Sequence, residues 1–225
     1  MIVFAVALAL LTQQVGEAVS ERIAPVQAAY DTELARQAAL PPPVDVRERL
    51  ERMKALDQVG RRAAITVDLS DLPAAERTAA QQALWAPVTA MDDRLSAELL
   101  TLVPEDGWFR KSVYGERAAN AAFLIVQHSN LDMWRRFVPI LEPLVATGEV
   151  DGQSYGLMYD RLAVNEGRPQ RYGTQMACVD GRLVIDYANL EDPQNADARR
   201  EAMGFMSTLA EYETIFASYP PCTSD

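Results

Sequence analysis

The stretch from Gly115 to His128, GERAANAAFLIVQH, constrains this chain more than any other. Read as a helix it is apolar or small on nearly every side, which predicts an interior position rather than a place along a surface. It nevertheless carries Glu116, Asn120 and Gln127 near one stripe, and it ends at His128, the single histidine of the sequence. A buried polar group left unpaired costs about 1–3 kcal/mol. These four side chains therefore require polar partners elsewhere in the chain.

The surroundings read as mostly helical. Val19 to Leu40 has helical character and stops at Pro41-Pro42-Pro43, a stiff extended spacer. Val46, Leu50, Met53 and Leu56 recur at helical spacing between Asp45 and Gly60. Leu84, Val88, Met91, Leu95 and Leu99 line one face of a long helix over Ala74 to Leu100, which Pro87 is expected to kink or split. Asn130 reads as the N-cap of a helix over Leu131 to Ala146, made irregular by Pro139 and Pro143 and closed by Gly148. The next helix starts at Asp151 or Ser154 and stops at Gly167. Its core face is Tyr155, Met158, Tyr159 and Leu162, with Asp160 and Arg161 beside it.

One β signal stands out. Asp180-Gly181 is a two-residue hairpin turn between Tyr172–Val179 and Arg182–Tyr187. That turn sets Val179 opposite Arg182, Cys178 opposite Leu183 and Met176 opposite Ile185, with Gln175 opposite Asp186 further back. Met176, Cys178, Leu183 and Ile185 then share an apolar face, and Gln175 projects from the other. Short helices over Asn195–Met203 and Thr208–Ala217 close the chain. The expected fold is α+β: a predominantly α-helical single domain over 44–219, with a small antiparallel hairpin near the C-terminal third. Residues 19–43 form a helical segment with the proline spacer, and 220–225 a tail.

A formal charge of -11 argues against a nucleic-acid partner, because the phosphate backbone needs a basic stripe. Ile2 to Leu11 is an unbroken apolar run, about the length of a secretory signal core and about half that of a membrane span. Gly16-Glu17-Ala18 supplies small residues for cleavage, so residues 1–18 read as a signal peptide and the mature chain as periplasmic or secreted, with no stable membrane span. The competing reading is a helix packed on the domain. Cys178 and Cys222 are compatible with one disulfide pinning the tail, or with two free thiols.

Several words of the sequence carry a resemblance: Val126-Gln127-His128, Asp160-Arg161, Gly167 to Gln175 (GRPQRYGTQ), Glu191-Asp192-Pro193, Arg199-Arg200 and Gly204. Over Val46 to Tyr219 the chain resembles an uncharacterised bacterial family of unknown function, numbered 6624, and Gly167 to Gln175 is the most specific part. It departs from the family pattern at Asn130, where an Asp would stand two residues after the histidine. The resemblance implies a fold and a site location, and no activity.

The candidate site follows from these residues. His128 and Asp132 are four apart, the spacing of an imidazole oriented by a carboxylate and acting as general base, although Asn130 marks a helix boundary between them. Asp160 is a further catalytic candidate, paired with Arg161 or leaving Arg161 for a substrate anion. Glu116, Gln127, Arg161, Gln170, Tyr172 and Gln175 are the candidate ligand-binding groups, and Gly173 permits close backbone approach. No metal and no cofactor is called for: there is no second histidine, no paired Cys motif, no Gly-rich phosphate loop and no nucleophile elbow. Ser112 and Ser129 stand near His128 in sequence only. One function class is an exported hydrolase of a small-molecule or cell-envelope substrate with His128 as base. A second is a non-catalytic acidic binding or inhibitory module for a basic protein partner. In a third, the polar cluster merely fixes the packing of the central helix.

Overall fold

Caps and apolar stripes, more than prolines, decide where helices run in this protein. The computed structural model describes residues 16–219 and 222, so the apolar run Ile2–Leu11 lies outside the described residues. The chain divides into two compact units: residues up to 105 together with 113–129, and residues 106–112 together with 130 onward.

The first unit holds α1 (Glu17–Ala38), α2 (Val46–Ala64), α3 (Ala74–Leu102) and, after the short α4 (Lys111–Tyr114) at the border, α5 (Glu116–Gln127). Asp45 starts α2 by accepting the Glu48 N–H at 2.9 Å, which satisfies a donor that has no partner within the helix. α2 packs against α1, α3 and α5. It, rather than the 115–128 stretch, is the hub of the unit. Leu50, Met53, Leu56 and Ala64 are buried on it, each large side chain stabilising the fold by about 1.5–3 kcal/mol.

α5 is interior along most of its surface: Ala118, Ala119, Ala121, Ala122, Phe123, Ile125 and Val126 are buried. Glu116 and Asn120 are not. Four residues apart, they share a stripe turned to solvent, where Asn120 accepts from Lys54 at 2.6 Å. The expectation that they are buried therefore fails, because alanines fill the buried surface on their own. Of the two outcomes expected at Pro87, a kink or a split, α3 is not split: it runs unbroken through the proline. Leu84 and Val88, buried on either side of the proline, and Met91 beyond it hold the helix where one backbone hydrogen bond is lost.

The second unit packs α6 (Leu131–Val145) against α7 (Gly152–Asn165). Both caps are those read from sequence: Asn130 accepts from Met133 N–H at 3.2 Å, and Asp151 from Ser154 N–H at 2.7 Å. Pro139 and Pro143 lie inside a continuous α6. β1 (Met176–Val179) and β2 (Arg182–Ile185) pair antiparallel in the expected register, Met176 with Ile185 and Val179 with Arg182. Asp180 and Gly181 have φ of 50° and 77°, the left-handed pair a tight hairpin demands. Short 3-10 turns at Tyr187–Asn189 and Pro193–Asn195 lead to α8 (Ala196–Ala202) and α9 (Leu209–Phe216), and α9 packs on β2. Ile185, Leu190, Ala196 and Leu209 form the apolar cluster beneath. Cys178 and Cys222 are joined by a disulfide, and Cys222 N–H donates to the Gly181 carbonyl at 3.1 Å. With nine α-helices and one hairpin among the described residues, the fold is predominantly helical α+β. Among those residues no helix is long and apolar enough to cross a membrane.

Candidate functional site

In α2 the buried positions Leu50, Met53, Asp57, Gly60 and Ala64 follow one another at intervals of three and four, so Asp57 stands in the middle of an oily stripe. Its carboxylate is 1% exposed and would be costly there alone. Three groups answer it. His128 Nδ1 lies 2.7 Å from Oδ1, Gln58 Nε2 donates to Oδ2 at 2.6 Å, and the Arg61 Nε lies 3.7 Å from Oδ1. Burial pushes the Asp57 carboxyl up. The hydrogen bond and charge of His128, with Gln58 and Arg61, outweigh burial and hold it below the ordinary aspartate value.

An ionised carboxylate can only accept, so Nδ1 carries a proton, and whenever the ring is neutral Nε2 is its basic atom. His128 reaches this place as the residue that closes α5, its N–H bonded to the Leu124 carbonyl at 3.0 Å. Its side chain retains 17% exposure. A half-buried imidazole with an aspartate behind it is the arrangement of a general base.

Two more helices contribute. Asp92 of α3 takes an Arg61 terminal nitrogen on both oxygens at 2.6 Å. Burial is the largest influence on Asp92 and lifts its carboxyl to about 6, against the pull of Arg61 and with the charge of Asp57 adding to the rise. Tyr30 of α1 lays its ring on α2 at Gly60, where a Cβ would stand 2.1 Å from Cζ and 2.3 Å from the hydroxyl oxygen. Among the described residues neither the Tyr30 hydroxyl nor the Arg61 Nε has a hydrogen-bond partner, although both atoms are buried.

The polar groups of the second unit are arranged differently. Asp160 projects from the buried face of α7 and is fully buried. It accepts the backbone N–H groups of Arg171 at 2.7 Å, Tyr172 at 3.2 Å and Thr174 at 2.9 Å. Burial raises its carboxyl above the ordinary value against the pull of these donors. Gln170 closes the loop on itself, donating to the Gln175 carbonyl and accepting the Gln175 N–H, both at 2.9 Å. Gly173, at φ +62°, leaves room for Leu209, whose Cδ2 would lie 2.5 Å from a Cβ. Tyr172 is buried between Tyr159 and the stacked ring of Phe205. Arg200, 1% exposed, donates to the carbonyls of Tyr172 and Ser207 and lies over Phe205 and Tyr212. Arg199 donates to the carbonyls of Arg171, Glu191 and Asp192. The segment 167–175 is thus a frame tied to Asp160 through its backbone and to Glu166, Glu142 and Glu191 through its arginines. This is also why Tyr172–Gln175 is not strand: the N–H groups of Tyr172 and Thr174 face a carboxylate, and that of Gln175 the Gln170 side chain, instead of a neighbouring strand.

The residues singled out in the sequence therefore fall into two sets. His128 belongs to the first unit, and Asp132, Asp160, Arg161, Gln170, Tyr172 and Gln175 to the second. The carboxylate on the imidazole is Asp57. Asp132 is an exposed first-turn residue of α6, 3.8 Å from Arg135. Arg161 lies 5.8 Å from the Trp134 ring centroid, and Gln127 is half-buried at the end of α5. Ser129 donates its hydroxyl to the Val126 carbonyl and Ser112 to Glu149, so neither stands as a free nucleophile. Asp57, Arg61, Asp92 and Tyr30 escaped the sequence reading. Asp57 left a trace, a carboxylate at a core position of the α2 stripe; its pairing with His128, 71 residues away, left none. Among the described residues no group of three or more His, Cys, Asp and Glu side chains is placed to hold a metal ion.

Fold and site define a predominantly helical α+β protein with an aspartate-held imidazole in one unit and a carboxylate-nucleated loop in the other. The chain belongs to the family of unknown function DUF6624, whose pattern it matches over residues 44–219. The match takes in Asp57, Arg61, Asp92, His128 and the 167–175 loop, and it leaves out Tyr30. Neither a curated protein nor a solved structure matched the chain.

Proposed function

We propose that this protein is an exported hydrolase of a small-molecule or cell-envelope substrate, with His128 as general base and Asp57 as the residue that fixes its tautomer. The observation that carries the reading is the 2.7 Å contact between Nδ1 and a buried, ionised carboxylate, which leaves Nε2 to take a proton. Export is supported by the apolar run near the N-terminus and by the Cys178–Cys222 bridge, because disulfides persist in oxidising compartments.

The sole histidine makes the test direct. Ring ¹⁵N NMR of the neutral imidazole should report the Nδ1–H tautomer, and Asp57→Asn should change it; an Nε2–H ring in the native protein would overturn the assignment. Against a panel of chromogenic esters, amides and phosphoesters, His128→Gln should lower turnover by roughly 10²–10⁴-fold while circular dichroism and melting temperature are kept. Loss of stability in step with loss of turnover would mark a packing histidine instead.

A further inference from the structure

Six polar side chains, Tyr30, Asp57, Gln58, Arg61, Asp92 and His128, meet at α2, and only part of their hydrogen-bonding capacity is used. Asp57 and Asp92 are both answered, the first by His128, Gln58 and Arg61 and the second by Arg61. Two buried donors make no hydrogen bond among the described residues: the Tyr30 hydroxyl, and the Arg61 Nε, whose contact with Asp57 Oδ1 is 3.7 Å. The Tyr30 hydroxyl rests on Gly60, the residue before Arg61, and Asp57 stands one helical turn before both, at spacings of three and four. Burial and the charges of Asp92 and Asp57 push the Tyr30 phenol up against the pull of Arg61, as expected for a neutral O–H donor set among them. Solvent reaches the edge of the cluster through Arg61 and His128, whose side chains keep 21% and 17% exposure.

We propose that the Tyr30 hydroxyl and the Arg61 Nε form an acceptor site beside His128 that takes the oxygen of an uncharged carbonyl group, an ester or amide, and rejects carboxylates and phosphates. Two unused buried donors call for an oxygen. The charge of the cluster decides which kind: two carboxylates share one guanidinium, so an anion entering here meets net negative charge, whereas a neutral carbonyl can accept from both donors. Donors placed this way also favour an oxygen that gains charge during reaction. The inference rests on the reading of His128 as base for its catalytic meaning, but the binding itself does not need a basic imidazole.

The test uses acetamide as the neutral probe and acetate as its charged counterpart, with the ¹⁵N–H signal of Arg61 Nε in the full chain as reporter. Acetamide should shift that signal saturably in the native protein and in His128→Ala. Acetate should bind at least ten-fold more weakly, and Tyr30→Phe, with its circular dichroism unchanged, should lose at least ten-fold in acetamide affinity. Acetate binding as tightly as acetamide, no saturable shift with either, or a Tyr30→Phe protein that binds normally would each overturn the site. Acetamide binding with turnover indifferent to His128 would sink the base assignment and leave this site standing. Turnover that depends on His128 without acetamide binding would sink this site alone.

Discussion

Both units bury carboxylates, yet the surroundings of Asp57 and Asp160 assign them opposite tasks. Asp160 is surrounded by backbone: three N–H groups converge on it, Gln170 and Gln175 close on each other, and Arg200 is held by carbonyls and ring faces. Those groups are satisfied from within and make a rigid frame, although the Tyr155 hydroxyl, on the same helix as Asp160, is buried without a hydrogen-bond partner among the described residues. Asp57 is surrounded by side chains, one of them a largely buried imidazole that still reaches solvent, with two donors nearby making no hydrogen bond among the described residues. A buried charge is therefore weak evidence for a site. Unspent hydrogen-bonding capacity next to it is better evidence.

The contrast can be broken experimentally. Asp160→Ala strands three backbone donors and should destabilise the second unit by about 3–5 kcal/mol in urea unfolding, with the His128 ring ¹⁵N signals unchanged. A His128 signal that moved with it would show that the frame and the imidazole are coupled. Asp57→Asn should cut turnover by about 10–100-fold, the usual effect of removing the partner that orients a histidine, and an unchanged rate would make Asp57 a packing residue.

A smaller effect should appear in the pH dependence. Folded Asp92 holds its proton up to about 6, more tightly than the unfolded chain does, so its contribution to stability is full at acid pH and declines as pH rises through about 4 to 6. Asp57, held below its ordinary value, acts oppositely and loses its contribution only as pH falls further. Melting temperatures of Asp92→Asn across this range should lack the decline; the same decline in the variant would assign it to another group. The smallest change is expected for Tyr30→Phe. Its hydroxyl makes no hydrogen bond among the described residues, so stability should stay within about 0.5 kcal/mol or rise. A loss above about 1 kcal/mol would show that the hydroxyl is satisfied in solution.

Much of this architecture could be read from local chemistry. Asp180-Gly181 sets the hairpin register because only a left-handed pair closes two twisted strands so tightly, and Asp45, Asn130 and Asp151 mark helix starts by what their side chains accept. At Pro87 burial on neighbouring turns outweighs one lost hydrogen bond, so the helix is not split there. The site was half legible. His128 was singled out as the lone imidazole, and Asp57 could have been noticed as a charge in the α2 stripe. The bond between them could not, because it is made by the packing of α2 on α5 and no local rule reports it. The 167–175 loop shows the same limit: its polar side chains are plain in the sequence, but no local rule reports that three of its backbone N–H groups face Asp160.

Gly60 sets a tolerance of a single methyl. Its backbone is the seat of the Tyr30 ring, and even alanine there would act as a wedge, lifting the phenol off α2. One small substitution, on a different helix from Tyr30, would thus tilt the tyrosine without deleting any functional group, so position 60 offers a dial for how far the hydroxyl reaches toward an incoming molecule.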